Sequence, residues 1–147
     1  VRFLDESHSV IFTDKGIQFF STRVETSPEL VSQIPIEENI RSITYAQDKV
    51  GIVTDNVEGG DPYKLRIYDR EGSPVFEKTF NYQYTGFDID GDLVLLYNDS
   101  SCKVYNMTGT EKYNGTFDFT VSKVSAGRFP GTLLVMGPQK MTEIKLQ

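Results

Sequence analysis

Carboxylates at alternating positions in Asp88-Ile89-Asp90-Gly91-Asp92 are the arrangement in this 147-residue chain that most suggests metal chemistry. A calcium loop of the helix-loop-helix kind begins this way, but it needs further oxygen ligands and a bidentate Glu about six residues beyond the glycine. That position is Tyr97, so such a site is excluded and Asp90-Gly91 reads as a turn between strands. His8 is the only histidine, and with Asp5, Glu6, Ser7 and Ser9 around it the residue types of a hydrolytic triad are present. No G-x-S-x-G turn or equivalent presents a serine nucleophile, so His8 reads as a loop histidine between two strands. Gly59-Gly60-Asp61 lacks the Lys and Ser/Thr of a phosphate-cradling loop and reads as a hairpin loop. Cys102 is the single cysteine, which allows neither an internal disulfide nor a thiolate zinc site, and its strand-like neighbours make it a small buried hydrophobe. These readings leave no catalytic, cofactor-binding or metal-ligating residues, and an enzyme is not expected.

The elements that carry these residues are organised by repetition. Leu65-Arg66-Ile67-Tyr68-Asp69-Arg70-Glu71-Gly72 recurs as Cys102-Lys103-Val104-Tyr105-Asn106-Met107-Thr108-Gly109, a step of 37 residues for both the tyrosine and the glycine. Short runs rich in β-branched and aromatic residues fill the chain, separated by turn signals such as Asp14-Lys15-Gly16, Gln47-Asp48 and Asp90-Gly91. No sustained i, i+3, i+4, i+7 apolar pattern occurs, so essentially no helix is expected. The spacing predicts strands near 1–4, 9–13, 17–21 and 30–36, with a polar loop through Glu25 to Ser27, and near 40–46, 50–54, 63–68 and 75–80. Further strands are expected near 84–89, 93–97, 102–105 and 112–119, and finally 121–125, 132–136 and 141–145. In the strand at 40–46, strict alternation places Ile40, Ser42 and Thr44 on one face and Arg41, Ile43 and Tyr45 on the other.

About 40 residues and four short strands per unit is the signature of propeller blades. The predicted fold is all-β and β-propeller-like. About four blades of four short antiparallel strands span residues 1–38, 39–82, 83–120 and 121–147, the last lacking its outer strand, as part of a larger propeller. A four-stranded meander has two apolar faces and hides both only by stacking on neighbours. The second strands should therefore be the most apolar, as Val10-Ile11-Phe12, Val50 to Val53 and Leu93 to Leu96 are. An open sandwich or a barrel of about fifteen strands is the structural alternative.

Fifteen Lys and Arg against 21 Asp and Glu give a formal charge of −6, which disfavours nucleic acid and anionic membrane surfaces as partners. The longest apolar run falls far short of a membrane-spanning helix of roughly 20 residues, so no direct membrane insertion is expected of this segment. The chain opens at Val1 and reads as a trimmed piece.

The runs Pro62 to Asp69, Leu95 to Asp99 with Cys102 to Tyr105, Glu111 to Phe117, and Glu143 to Leu146 resemble the C-terminal half of the uncharacterised clostridial domain-of-unknown-function family 5711. The resemblance implies an extracytoplasmic β-propeller at the cell surface, tethered by an N-terminal membrane anchor that this chain does not include. It brings no known active site.

The functional expectation is a noncatalytic scaffold that displays loops to a protein or glycan partner. The insertion Asn56 to Pro62, with Gly59 and Gly60, and the connection Tyr82-Gln83-Tyr84 are the candidate contacts, Tyr82 and Tyr84 being able to serve packing as well. Open blade edges give a route to self-association. The alternatives are a propeller-hosted hydrolase or lyase with its site in the central channel, and a membrane-associated sensor or assembly factor. Three N-x-S/T sequons, at Asn98, Asn106 and Asn114, fall at turns or turn edges.

Overall fold

Alternating apolar runs punctuated by Asx and Gly residues fold, in a computed structural model, into fifteen antiparallel strands arranged in four sheets among the described residues. The structure describes residues 1–21, 28–46 and 48–146, and no helix occurs among them. The predicted loop through Glu25 to Ser27, and Gln47 of the following turn, lie outside the described residues.

The first sheet runs in the order β1 (Arg2–Phe3), β2 (His8–Thr13), β3 (Gly16–Ser21) and β4 (Glu29–Pro35). The second contains β5 (Ile40–Tyr45), β6 (Lys49–Asp55), β7 (Tyr63–Asp69) and β8 (Pro74–Phe80). The third contains β9 (Gly86–Asp90), β10 (Leu93–Tyr97), β11 (Ser101–Asn106) and β12 (Glu111–Thr116). The fourth, among the described residues, contains β13 (Lys123–Ala126), β14 (Thr132–Met136) and β15 (Met141–Lys145). The four meanders are propeller-like. Two compact units, Val1–Asn81 and Tyr82–Gln147, hold two sheets each.

In the first unit, Val10, Ile17 and Phe19 of the first sheet meet Val50, Ile52 and Tyr68 of the second, and Leu4 and Ile36 close the cluster. Phe19 lies tilted against Tyr68 with ring centroids 6.2 Å apart, and Phe12 meets Tyr45 edge-on at 5.5 Å. In the second unit, Leu93, Leu95, Cys102 and Val104 face Val121, Val124, Leu133 and Val135. Each such aliphatic side chain removed from water contributes about 1.5–3 kcal/mol, which is how sheets with two apolar faces become stable. Burial of the second strands is strongest where expected, at Val50, Ile52, Val53 and Leu93 to Leu96, whereas Ile11 and Phe12 of the first sheet are half-buried.

The turns explain the sequence repeat. After β7 and after β11, an Asx side chain accepts from the backbone two and four residues ahead: Asp69 Oδ1 from Glu71 N and Ser73 N, Asn106 Oδ1 from Thr108 N and Thr110 N. Gly72 and Gly109 then take φ of 86° and 80°, left-handed backbone that glycine adopts without steric cost. Gly72 has a second reason to be glycine, since a Cβ there would meet Phe19 and Ser32 at 2.8 Å.

Three local expectations are corrected. β5 slips register between Ile40 and Ser42, and this bulge breaks the strict alternation: Ile40 and Tyr45, assigned to opposite faces, both pack against one core, while Ile43 is exposed. The strand near 112–119 ends at Thr116, and Phe117 and Phe119 leave the ladder to pack on the core of the second unit. The strand near 84–89 begins only at Gly86, with Tyr84 before it.

Candidate functional site

Of the sequence candidates, the loop between β6 and β7 is the one most extensively braced by its own hydrogen bonds. Asn56 N–H donates to Pro62 O at 2.9 Å, closing the loop at its base. The Asn56 side chain then fills the interior: Nδ2 donates to Gly59 O at 3.1 Å and to Asp61 O at 2.8 Å, while Oδ1 accepts from Glu58 N at 3.3 Å. Asp61 Oδ2 accepts from Thr79 Oγ1 at 3.1 Å, which ties the loop to β8. Lys64 Nζ lies 3.6 Å from Glu58 Oε1 and 2.5 Å from Glu77 Oε1. At its base, Arg41 Nε donates to Asp55 Oδ1 at 2.6 Å and the guanidinium lies 6.0 Å from the Tyr63 ring centroid. Gly59 and Gly60 hold φ of 90° and 84° with open space where a side chain would stand, so the backbone itself is presented. Beside them Val57 is 74% exposed. The loop offers shape, an apolar tip and accessible amides, held by its own hydrogen bonds.

Tyr82 and Tyr84 belong to the second unit. The Tyr82 hydroxyl shares a 2.7 Å hydrogen bond with Ser101 Oγ, and Ser101 Oγ donates to Asn98 Oδ1 at 2.9 Å. Asn98 Nδ2 also donates to Gln83 O at 2.8 Å, and Lys103 Nζ lies 5.8 Å from the Tyr82 ring centroid. Burial pushes the Tyr82 hydroxyl above its ordinary range, the Ser101 bond opposing it in part. Tyr84 is half-buried and meets Phe87 edge-on at 6.4 Å. The connection is thus anchored by Tyr82, with Gln83 and Thr85 exposed around it.

Two carboxylates of Asp88-Ile89-Asp90-Gly91-Asp92 are engaged in backbone contacts. Asp88 Oδ1 accepts from Ile89 N at 2.9 Å, and Asp90 Oδ2 from Ala126 N at 2.8 Å, which joins the β9–β10 turn to β13. No cluster of three His, Cys, Asp or Glu side chains suited to a metal ion occurs among the described residues. Cys102 is buried, and burial pushes its thiol up to about 12, far from the thiolate character a nucleophile needs.

His8 departs from its loop assignment: it opens β2 and is 2% exposed. Asp5, Ser7 and His8 do converge, but all on one ring nitrogen. Nδ1 lies 2.9 Å from Asp5 Oδ1 and 2.9 Å from Ser7 Oγ, and Ser7 Oγ donates to Asp5 at 3.1 Å. A hydrolytic triad needs its serine on the nitrogen opposite the carboxylate, so this arrangement cannot pass a proton from Ser7 through Nε2. Nε2 is buried, with Glu71 Oε1 at 3.8 Å. Arg70 Nη1 donates to Asp5 Oδ2 at 2.9 Å. Burial alone would raise the Asp5 carboxyl, but hydrogen bonds from Ser7 N, His8, Arg70 and Ser7 Oγ outweigh it and hold the group well below the usual carboxylate range. The cluster fastens the start of β2 to the β7–β8 turn. Its reach of 65 residues to Arg70 is what sequence reading missed, although Asp5 and His8 at i, i+3 were visible.

Arg66 and Glu38 form a second pair that sequence reading missed. Arg66 Nη2 donates to Glu38 Oε1 at 2.7 Å, with both side chains largely buried. Burial would raise the Glu38 carboxyl; its own backbone N–H, Arg66 and Lys64 lower it further than burial raises it.

No curated protein matches this chain. Among solved structures it is similar to the computationally designed Ika4 protein, at 9% identity and TM-score 0.53 over 94% of this chain and 89% of that one. It is also similar to HIRA(644-1017), at 11% identity and TM-score 0.54 over 94% of this chain and 47% of that one, so it spans about half the length of that fragment. Both likenesses concern the fold alone. Together with the repeated meanders and their Asx-Gly turns, the match of a family model to residues 1–146 places the chain: it belongs to the Family of unknown function (DUF5711).

Proposed function

We propose that this chain is a noncatalytic recognition module, a propeller-like scaffold that presents the Asn56 to Pro62 loop to a protein or glycan at a cell surface. The observation that carries this reading is the loop's preorganisation: Asn56 satisfies its interior while Val57, Gly59 and Gly60 face solvent. A loop already fixed in one shape loses little conformational freedom on binding, which favours affinity from a small contact. The geometry of the His8 cluster, with serine and carboxylate on the same nitrogen, supports a structural use of those residues. The resemblance set out above, which implies a membrane anchor preceding the propeller, supports the surface location in this reading.

The test is binding of the labelled chain to glycan arrays and to surface-protein fractions, compared with a variant in which Val57–Asp61 is replaced by Asn-Gly. Loss of specific binding with the fold intact by circular dichroism is the expected result. Undiminished binding by the shortened variant refutes the assignment of this loop.

A further inference from the structure

Among the described residues, His8 Nε2 is the one buried side-chain polar atom with no hydrogen-bond partner. Glu71 Oε1 stands 3.8 Å from it, about 1 Å longer than an ordinary N–H···O bond. The Glu71 main chain is fixed by its N–H bond to Asp69 Oδ1, so only the half-exposed side chain is free to close that gap. A neutral imidazole carries one N–H. Placed on Nδ1, it serves Asp5 Oδ1 at 2.9 Å and leaves the Nε2 lone pair buried against the Glu71 carboxylate. Placed on Nε2, it sets the Nδ1 lone pair against Asp5, where the Ser7 hydroxyl has a single proton to divide between ring and carboxylate. Either tautomer aims a lone pair at a carboxylate.

We propose that His8 is a proton-operated latch: a proton taken up from solvent on Nε2 draws in the Glu71 carboxylate and locks the β7–β8 turn onto the start of β2, and its release frees the Glu71 side chain. The imidazolium donates from Nδ1 to Asp5 and from Nε2 to Glu71, so both buried ring nitrogens are satisfied. Charge balance favours the same state. The charged groups that face the ring are Asp5 from its own turn and Arg70 and Glu71 from the β7–β8 turn. Ser21, opposite His8 in β3, brings no charge, and the exposed Glu6 is the other charged residue of the β1–β2 connection. With a neutral ring, Asp5 and Glu71 set two negative charges against the one positive charge of Arg70. The imidazolium supplies the second positive charge, and an opposite charge close by favours the charged form of a group. Asp5 stays an anion through the range in which histidine titrates, because its hydrogen bonds hold it well below the usual carboxylate range. The device acts within the first unit and is independent of what the Asn56 to Pro62 loop binds.

Nitrogen NMR of the full chain tests it, since His8 is the only histidine and its ring signals need no separation from others. Glu71→Gln removes the charge and keeps the shape of a half-exposed side chain, and is expected to weaken proton binding by His8 about threefold, the scale of such an ion pair. In the parent, the Nε2 proton is expected to exchange with water more slowly than that of a free imidazolium. The stability this proton contributes is complete below the range in which the ring of the unfolded chain titrates, and is lost as pH rises through the range of the folded ring. The urea midpoint of the parent is therefore expected to exceed that of Glu71→Gln at about pH 5.5 and to converge with it by about pH 8.5. Equal proton binding by parent and variant overturns the proposal. So does a midpoint gap as wide at the alkaline end as at the acidic end, or an Nε2 proton in the parent that exchanges as fast as a free one.

Discussion

Asp69 and Asn106, 37 positions apart in sequence, make the same two hydrogen bonds: each accepts from the backbone two and four residues ahead, at 2.9 Å and 2.9 Å for Asp69 and at 3.0 Å and 2.9 Å for Asn106. In both turns the residue's own N–H donates to the carbonyl four residues on at 2.9 Å, and the glycine three residues on donates back at 3.1 Å. The repeat visible in the sequence is therefore a repeat of turn chemistry, in which either carboxylate or carboxamide serves because only one acceptor oxygen is used.

Asp69→Ala and Asn106→Ala are each expected to destabilise the protein by about 1 kcal/mol, the usual worth of a lost turn hydrogen bond, while Asn106→Asp keeps most of it. Gly72→Ala is expected to cost more than either, because strain at positive φ adds to the contact with Phe19 and Ser32. Urea denaturation midpoints check the order.

Arg66 and Glu38 predict a thermodynamic coupling. Glu38→Ala leaves the largely buried Arg66 guanidinium without this partner and is expected to cost about 2–3 kcal/mol, with Glu38→Ala/Arg66→Met costing less than the sum of the single changes. A double-mutant cycle by chemical denaturation measures the difference.

Asp5 predicts acid sensitivity. Its folded carboxyl lies below the ordinary carboxylate value near 4, so its contribution is complete above that value and is lost as pH falls through the range beneath it. Asp5→Asn is expected to be less stable at neutral pH and to show a shallower loss of stability below about pH 4, where the native carboxylate must take up a proton. Unfolding free energies from pH 2 to 7 decide it.

Cys102 predicts a silent thiol. Buried, and with its acidity suppressed to about 12, it is expected to resist a disulfide reagent in the native protein and to react fully in denaturant. Rapid native labelling would show that the second unit opens locally around β11.

The strands among the described residues were legible because most are short runs rich in apolar, β-branched or aromatic residues, many of them ended by Asx or Gly, and those signals are local. What was misjudged depended on distance or on dual use. His8 became buried because Asp5, Ser7, Arg70 and Glu71 close around it, and the last two come from a turn more than sixty positions away. Phe117 and Phe119 carry strand-like composition but spend it on packing outside the ladder. The bulge at β5 leaves no composition signal at all. In the candidate site, Gly59 and Gly60 were readable as a loop from their type alone, whereas the Asn56 side chain as its internal brace was not. Tyr82 could be read as an aromatic in a connection but not as a hydroxyl committed to Ser101.

The 2.9 Å bond from Asn56 N–H to Pro62 O has a consequence for engineering. Because the two ends of the loop are already clamped together at the scaffold, foreign sequence grafted between them starts from a closed anchor, and each doubling of insert length adds only about 0.6 kcal/mol of closure entropy. Peptide libraries of quite different lengths can thus be carried at one address, with the strands on either side indifferent to the cargo.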